Sequence, residues 1–438
     1  MEKKTIDRTL PPQAAPMEKI PFPQIHQVQL SNGVPVYLIP FGAQKVVEIN
    51  IVFPAGRSFE PSPAVASFTG KMIQEGTLNY TSLEFAQKLD HYGAFIGVET
   101  GFERSSASLT SLEKHLESTI PLLQEMLVHP KFPEKDLDRL LKRTIQHLDV
   151  EEQKTEYTAR KEFNQLLFGQ DHPYGRTAGK QEVQDLSNDS LKAFFAHNYN
   201  FVNATILVCG CFDQAALLDL LESHFGDKAL IDEAQKVDIN TSGALREPAS
   251  PSSGLHYFEK EDSVQATVRV GLRGFTRNHP DYHKMLVVNT ILGGYFGSRL
   301  MKNIREEKGY TYGIGSAWLS MRHQGFFIIQ TDIGNEYIRP TLTEMDKEIR
   351  KLIEDGVSED ELQLVKNYML GRMASGRETP AQIIGLVNTL LASGIPFENL
   401  NEKFDIIQSV TTEDVQSLAT QYLNPDKLLQ VVSGKMEE

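Results

Sequence analysis

Apolar residues follow two different periods along the chain, and these periods predict both strands and helices. Residues 27–39 alternate around Ser31-Asn32-Gly33, and an Asn-Gly pair in that setting is typical of a β-hairpin. A third apolar run covers residues 46–53, and the helical period begins after Pro54-Ala55-Gly56. The predicted helices cover residues 64–75, 82–92, 112–127 and 134–170, with strands at 95–98 and 105–110. This mixed order favours an α+β unit.

The pattern of the first half recurs in the second half. A buried strand at residues 204–208 closes the first half and is followed by Gly210. Residues 428–432 close the second half and are followed by Gly434, which lies 224 positions after Gly210. Other matches share nearly the same offset, which indicates an internal duplication. The duplication predicts two similar α+β domains that face one another.

Composition divides the chain into four segments. Residues 1–26 are rich in proline and predict an extended N-terminal arm. Residues 228–254 are rich in Asp, Ser, Ala, Pro and Gly and predict an interdomain linker. The two domains are therefore expected at residues 27–227 and 255–438.

Length and charge narrow the class of protein. The chain has 438 residues, 40% of them hydrophobic and 23% charged, which suits two globular domains. Its net charge is −14, with scattered Lys and Arg, which argues against a nucleic-acid partner. No apolar run approaches the ~20 residues of a membrane span. We therefore expect a cytoplasmic protein without a membrane partner, or a periplasmic one if a signal peptide has been removed.

Three segments carry residues that are specific to one family. They are Pro-Ala-Gly-Arg-Ser-Phe-Glu at 54–60, Glu-Gly-Thr at 75–77, and Arg-Glu-Glu-Lys-Gly-Tyr-Thr-Tyr at 305–312. From about residue 27 onward the chain resembles the pitrilysin and insulinase peptidases with an inverted zinc motif, including the mitochondrial processing peptidase. The resemblance implies two homologous α/β domains in a clamshell, each a mostly antiparallel sheet with helices packed on one face.

The zinc motif of that family is degenerate in this chain. In active members, the helix that ends at Gly-Thr carries His-x-x-Glu-His, in which two His ligate zinc and Glu activates water. Counting back from Gly76-Thr77, Ser67 and Lys71 replace the two His and Gly70 replaces the Glu. Ser and Gly are poor zinc ligands, and an ammonium puts positive charge where the cation would lie. The resemblance therefore implies no catalytic residue and no metal in the chain alone.

The third zinc ligand of the family, a Glu, corresponds to a position near His147. Asp149, Glu151 and Glu152 follow it closely. One hypothesis is that Lys71 pairs with one of these acids and fills the vacated metal site electrostatically. In the alternative, Lys71 extends to solvent.

The second half retains the family's substrate-binding pair. Arg305 and Tyr312 lie seven residues apart, as they do in relatives. In the family these groups reach across the chamber and donate hydrogen bonds to the substrate carbonyl and the developing oxyanion. The structural alternative is that Arg305 anchors a helix end through an ion pair while Tyr312 packs on a strand.

Retained donors beside a lost zinc motif favour a division of labour between two chains. The first hypothesis is a non-catalytic subunit of a heterodimeric zinc metallopeptidase, which supplies Arg305 and Tyr312 to a zinc-bearing paralogous partner acting on a peptide. A homodimer is one possible state of the isolated chain, because a two-domain clamp that faces a similar clamp can also face its own copy. The second hypothesis is a structural or assembly protein of the same fold, and the third is an independent enzyme with a relocated metal site.

Two further clusters suggest metal or phosphate binding at first sight. His279 and His283 are four residues apart, but Pro280 favours a helix start. We therefore interpret the two histidines as exposed residues at capping and surface positions. The glycine-rich residues 293–298 lack the Lys-Ser/Thr of a phosphate loop and indicate a close-packed turn.

Overall fold

The computed structural model describes residues 9, 17–238, 247–397 and 399–435. Its strands are β1 (His26–Gln29), β2 (Pro35–Pro40), β3 (Val46–Phe53), β4 (Phe95–Thr100), β5 (Ser105–Leu112), β6 (Thr205–Gly210), β7 (Gly254–Glu259), β8 (Gln265–Gly274), β9 (Ile314–Ser320), β10 (Gly325–Gly334) and β11 (Leu429–Gly434). Most of the predicted arm and part of the predicted linker, residues 239–246, lie outside the described residues.

Helices account for most of the remaining described residues. They are α1 (Val65–Met72), α2 (Ser82–Tyr92), α3 (Leu116–Val128), α4 (Glu134–Glu151), α5 (Thr155–Phe168), α6 (Lys180–Gln184), α7 (Asn188–Asn198), α8 (Gln214–Phe225), α9 (Tyr282–Asn289), α10 (Ile338–Glu354), α11 (Glu359–Ser375), α12 (Pro380–Ser393), α13 (Asn399–Ser409) and α14 (Thr412–Tyr422). Within the described ranges, none of them is long and apolar enough to span a membrane.

The two halves form sheets of matching topology. The first sheet has the order β1-β2-β6-β3-β5-β4 and the second has the order β7-β11-β8-β10-β9. In the first, β6 runs parallel to β2 and antiparallel to β3. In the second, β11 runs parallel to β7 and antiparallel to β8. The predicted fold, two duplicated and mostly antiparallel α/β units, is confirmed, with β1 as an extra edge strand.

Each sheet buries one face against helices of its own half. Alternate residues of β3, including Ile49 and Ile51, pack against Phe68 and Met72 of α1. In the second half, Val268 of β8 lies in the equivalent core with residues of α9 and α10. Side chains alternate between the faces of a strand, so the intervening residues of β3 need cover on the other face.

The second face of each sheet is covered by one helix from the other half. On the first sheet, Val52 and Leu207 pack against Ile383 and Val387 of α12. On the second sheet, Ile328 and Val431 pack against α5 residues including Phe163. We call α5 and α12 the exchanged helices. Because each half needs a helix from the other to bury its sheet, the halves are joined by much more than the linker.

A missing side chain at Gly271 lets one exchanged helix approach its sheet. The Phe163 ring of α5 is fully buried, and a Cβ atom at Gly271 would lie 2.9 Å from its Cζ. The same position would also collide with the Phe327 carbonyl oxygen at 2.1 Å. Close contact between α5 and the second sheet therefore depends on glycine at this place.

The predicted single helix at residues 134–170 is wrong. The chain forms α4 and α5 separately, and Lys154 between them is extended, with φ −78° and ψ 140°. This break lets α4 stay with the first half while α5 crosses to the second sheet. The predicted helix at residues 112–127 begins later than expected, because Leu112 still belongs to β5. In the second half, a π-helical segment, Thr290–Gly294, follows α9.

Candidate functional site

The residues at the zinc-motif positions all lie on α1, and they do not fit a zinc ion. The Ser67 hydroxyl donates a hydrogen bond to the Ala64 carbonyl at 3.0 Å. The Lys71 ammonium lies over the Phe68 ring, 5.3 Å from its centroid. Across the described part of the chain, no three His, Cys, Asp or Glu side chains come together as metal ligands.

At Gly70, the position predicted for the catalytic glutamate, the helix lies too close to β4 to carry a longer side chain. A Cβ atom at Gly70 would lie 2.7 Å from the Thr100 hydroxyl and 3.2 Å from a methyl of Val98, both on β4. The Thr100 hydroxyl also accepts a hydrogen bond from Ser105 at 3.0 Å. The strand therefore occupies the space that a longer side chain at position 70 would need.

Gly70→Ala is expected to destabilise the protein although alanine favours helices. Pushing a Cβ atom against Thr100 typically costs about 1–3 kcal/mol, which exceeds the gain in helix propensity. Gly385, inside α12, has no atom within 4 Å of its ideal Cβ, so Gly385→Ala should stabilise by up to about 1 kcal/mol. Urea unfolding followed by circular dichroism compares the two, and equal effects would contradict the close contact at Gly70.

Lys71 forms no ion pair with any described carboxylate, contrary to the pairing hypothesis. Asp149 and Glu152 bind Lys180 instead, at 2.6 and 2.7 Å. Burial, and then the Arg143 guanidinium, lower the pKa of Lys71. The charged group beside Lys71 is thus a second cation, Arg143, and no described carboxylate neutralises the positive charge of Lys71.

Arg305 lies in a π-helical segment, Met301–Glu307, in the second half. Its guanidinium carbon is 4.6 Å from the ring centroid of Phe296, which is itself 61% exposed. No ion pair of the described residues includes Arg305. The alternative in which Arg305 anchors a helix end through an ion pair therefore has no support. The ring contact holds the guanidinium at the surface while its N–H donors stay available.

Tyr312 projects from a loop whose neighbouring residues are well anchored. Its side chain is 92% exposed, so it does not pack on a strand. By contrast, the Thr311 hydroxyl donates to the Asp332 carbonyl at 2.7 Å, and Tyr310 stacks on Tyr337 with centroids 4.6 Å apart. A large aromatic residue left in solvent on a firmly held loop is typical of a contact site.

A cavity beside this loop was not predicted from the sequence. It has a volume of about 490 Å³, and its lining includes Gly313, Ile314, Arg269 and Asp332 of the second half. Glu156 of the exchanged helix α5 completes the lining. Glu156 reaches the other lining residues only because α5 crosses to the second sheet, and no local sequence pattern signals that crossing.

The structure does not bring the two groups of predicted site residues together. Ser67, Gly70 and Lys71 lie on α1 of the first half, while Arg305 and Tyr312 lie beside the second sheet. No hydrogen bond, ion pair or ring contact among the described residues joins one group to the other.

Comparisons with known proteins agree with this architecture. Residues 41–172 match the model of the insulinase family, peptidase family M16, and residues 185–369 match the model described as the peptidase M16 inactive domain. A solved structure described as the peptidase M16 inactive domain from Pseudomonas fluorescens has a TM-score of 0.85 and 25% identity. The similarity covers 94% of this chain and 98% of that one.

Two curated bacterial relatives carry different descriptions. The non-peptidase homolog YmxG of Helicobacter pylori is 25% identical over 435 residues, with 94% of this chain and 95% of the relative covered. The zinc protease YmxG of Bacillus subtilis is 23% identical over 417 residues, with 93% and 98% covered. The names of these relatives thus differ on activity, and the prediction that this chain has lost the zinc motif rests on Ser67, Gly70 and Lys71. The chain belongs to peptidase family M16, and its match to the inactive domain of that family runs from the end of the first half into the second.

Proposed function

We propose that the chain is the non-catalytic subunit of a heterodimeric zinc metallopeptidase. It supplies Arg305 and Tyr312 to a paralogous subunit that carries the zinc. The observation that carries this proposal is the 92% exposed Tyr312 on an anchored loop, in a chain whose α1 offers no zinc ligand. A phenol fully in solvent can be buried only by another molecule. We also propose that the first domain ends at residue 227, that the second begins at residue 255, and that the protein is cytoplasmic.

The chemistry available from these two side chains is hydrogen-bond donation. The Arg305 guanidinium and the Tyr312 phenol both donate, and neither needs a metal to do so. Aimed at a scissile carbonyl, such donors stabilise the charge that develops on its oxygen. When the partner's zinc is present, it supplies the activation of water. This chain therefore acts by orienting the peptide and stabilising charge.

The sheet edges suit an extended peptide substrate. Strands β4 and β9 lie at the ends of their sheets, where backbone groups have no neighbouring strand. An extended peptide can add to such an edge through main-chain hydrogen bonds. Thr100 of β4 contacts Gly70 of α1, so a peptide on β4 would run past the degenerate motif. This placement supports retention of peptide binding after the loss of zinc chemistry.

Mixing the chain with its zinc-bearing paralogue is expected to create peptidase activity. The isolated chain should cleave no peptide, while the mixture should exceed either subunit alone by at least about 100-fold, because oxyanion donors contribute on that order. A quenched fluorescent peptide library and zinc analysis of each purified subunit measure this. A paralogue that is equally active alone would exclude the trans role. A stable but inactive complex would favour the structural or assembly alternative.

A further inference from the structure

A second cavity, also of about 490 Å³, lies within the second half and has a strongly basic lining. It is enclosed by α9, α11, α12 and α13 and is separate from the Arg305 and Tyr312 loop. Its basic lining residues are Arg277, His283, Arg372, Arg377 and Lys403. None of its described lining residues is acidic. In a protein of net charge −14, this concentration of cations is exceptional. We call it the basic cavity.

The cations at its centre have no counter-ion in the described chain. Lys403 makes no hydrogen bond or ion pair with any described residue, and the buried Nε of Arg277 has no partner. Burial, and then the neighbouring Arg277 and Arg377, lower the pKa of Lys403 to about 8. Burial also lowers the pKa of His283 to about 4, and its buried Nδ1 has no partner. His283 is thus a cavity residue, and the surface position expected from the sequence is wrong.

The rest of the wall is apolar. Met369, Leu390, Ile395 and Leu400 line the cavity, and all four side chains are buried. A volume of this size is typical of small-molecule sites, which combine apolar walls with a few convergent polar groups. Unpaired buried cations are costly, and a bound anion would repay that cost with charge-assisted hydrogen bonds. The cavity therefore has one charged region and one apolar region.

We propose that the basic cavity binds a small amphiphilic anion. The carboxylate or phosphate group of the ligand lies between Lys403 and Arg277, and its hydrocarbon part lies against Leu390 and Ile395. Arg377 is already engaged, because it donates to the carbonyls of Ile20 and Leu400 at 2.8 Å. Ligand in the cavity would also contact α12, the exchanged helix that covers the first sheet.

Calorimetric titration with four simple probes tests the ligand class. Octanoate and octyl phosphate carry both features, octanol lacks the charge, and inorganic phosphate lacks the tail. We expect both anionic amphiphiles to bind at least about ten-fold more tightly than octanol or phosphate, since each feature contributes over 1.4 kcal/mol. Equal binding of octanol would overturn the role of the cations, and equal binding of phosphate would overturn the role of the apolar wall.

Lys403→Met tests the charged region while keeping a side chain of similar length. We expect octanoate affinity to fall about ten-fold or more while octanol binding stays unchanged. Lys347→Met, on the exposed side of α10, is the matched control and should leave both unchanged. If Lys403→Met does not fold, Arg277→Met is expected to give the same result, a loss of octanoate affinity with unchanged octanol binding. Unchanged octanoate affinity in a folded variant of either kind would contradict the proposal.

Alkaline pH gives a second readout of the same group. Three other charged residues line the cavity with Lys403, namely Arg277, Arg372 and Arg377. Two further residues of the lining, His283 and Tyr368, are titratable. Octanoate is ionised throughout, so its affinity should be full below pH 8 and fall by up to about ten-fold per pH unit above it, as Lys403 loses its proton. Lys403→Met should abolish this dependence. An octanoate affinity that stays constant from pH 7 to 9.5 in the unmodified protein would contradict the role of the Lys403 ammonium.

Discussion

Tyr312→Phe is expected to lower kcat of the reconstituted peptidase by about 10²–10³-fold, the usual effect of removing one oxyanion donor. The substitution removes a single hydroxyl from a side chain that is 92% exposed, so the free energy of unfolding should change by less than about 0.5 kcal/mol. Arg305→Ala should have a similar effect on kcat. Arg305→Lys should retain part of the activity, because lysine keeps the charge but loses the fork of donors.

Two substitutions in the same region serve as controls. Tyr337→Phe removes a phenol hydroxyl from the ring that stacks on Tyr310, and Arg339→Ala removes an exposed guanidinium from α10. Both should leave kcat of the mixture within about two-fold, since they lie outside the exposed loop. Steady-state kinetics at saturating partner measure all five variants. If Tyr312→Phe and Arg305→Ala behave like these controls, the donor role in trans is wrong.

Phe163→Ala is expected to lower the free energy of unfolding by about 3–5 kcal/mol, because it leaves a cavity under a fully buried aromatic ring. The residue belongs to the first half but packs on the second sheet through α5. Trp318, the single tryptophan of the chain, lies in the core of the second half. Its fluorescence therefore reports the second half directly, while far-ultraviolet circular dichroism reports all helices.

The two signals should report one shared transition, both in the unmodified protein and in Phe163→Ala. Each sheet has one face covered by a helix of the other half, so neither half keeps both faces of its sheet covered when the other unfolds. Phe95→Ala is the control: its ring is 71% exposed on the edge strand β4, and the change should cost less than about 0.5 kcal/mol. Two separate transitions, with Trp318 melting independently of the helices, would contradict the helix exchange.

The sequence was sufficient for the features that depend on local pattern and spacing. Short apolar runs located β3 and β6, and the 224-residue offset between Gly210 and Gly434 anticipated two sheets of one topology. The Gly76-Thr77 pair fixed the register of the motif helix, so Ser67 and Lys71 could be assigned without a structure. The predictions of the strands and of the duplicated fold succeed because apolar runs and residue spacing can be read directly from the chain, whereas the assignment of Ser67 and Lys71 stays a prediction.

Long-range packing could not be predicted in the same way. Residues 152–154 contain no glycine or proline, so nothing local indicates that the chain leaves α4 and crosses to the other sheet as α5. The basic cavity is equally hidden, because Arg277 and His283 come from one segment and Lys403 comes from another that lies far along the chain. The pairing expected for Lys71 failed for a related reason: Lys180, distant in sequence, takes two of its predicted partners.

The helix exchange also constrains how the protein is made on the ribosome. Helix α5 is complete at Phe168, but Val431, on which it packs, is added more than 260 residues later. At ~5–20 residues per second, this interval lasts from roughly a quarter of a minute to a minute. During that time the apolar side of α5, including Phe163, has no complete second sheet to cover. The nascent chain must therefore carry an aggregation-prone helix, a natural target for chaperones, until its last strand emerges.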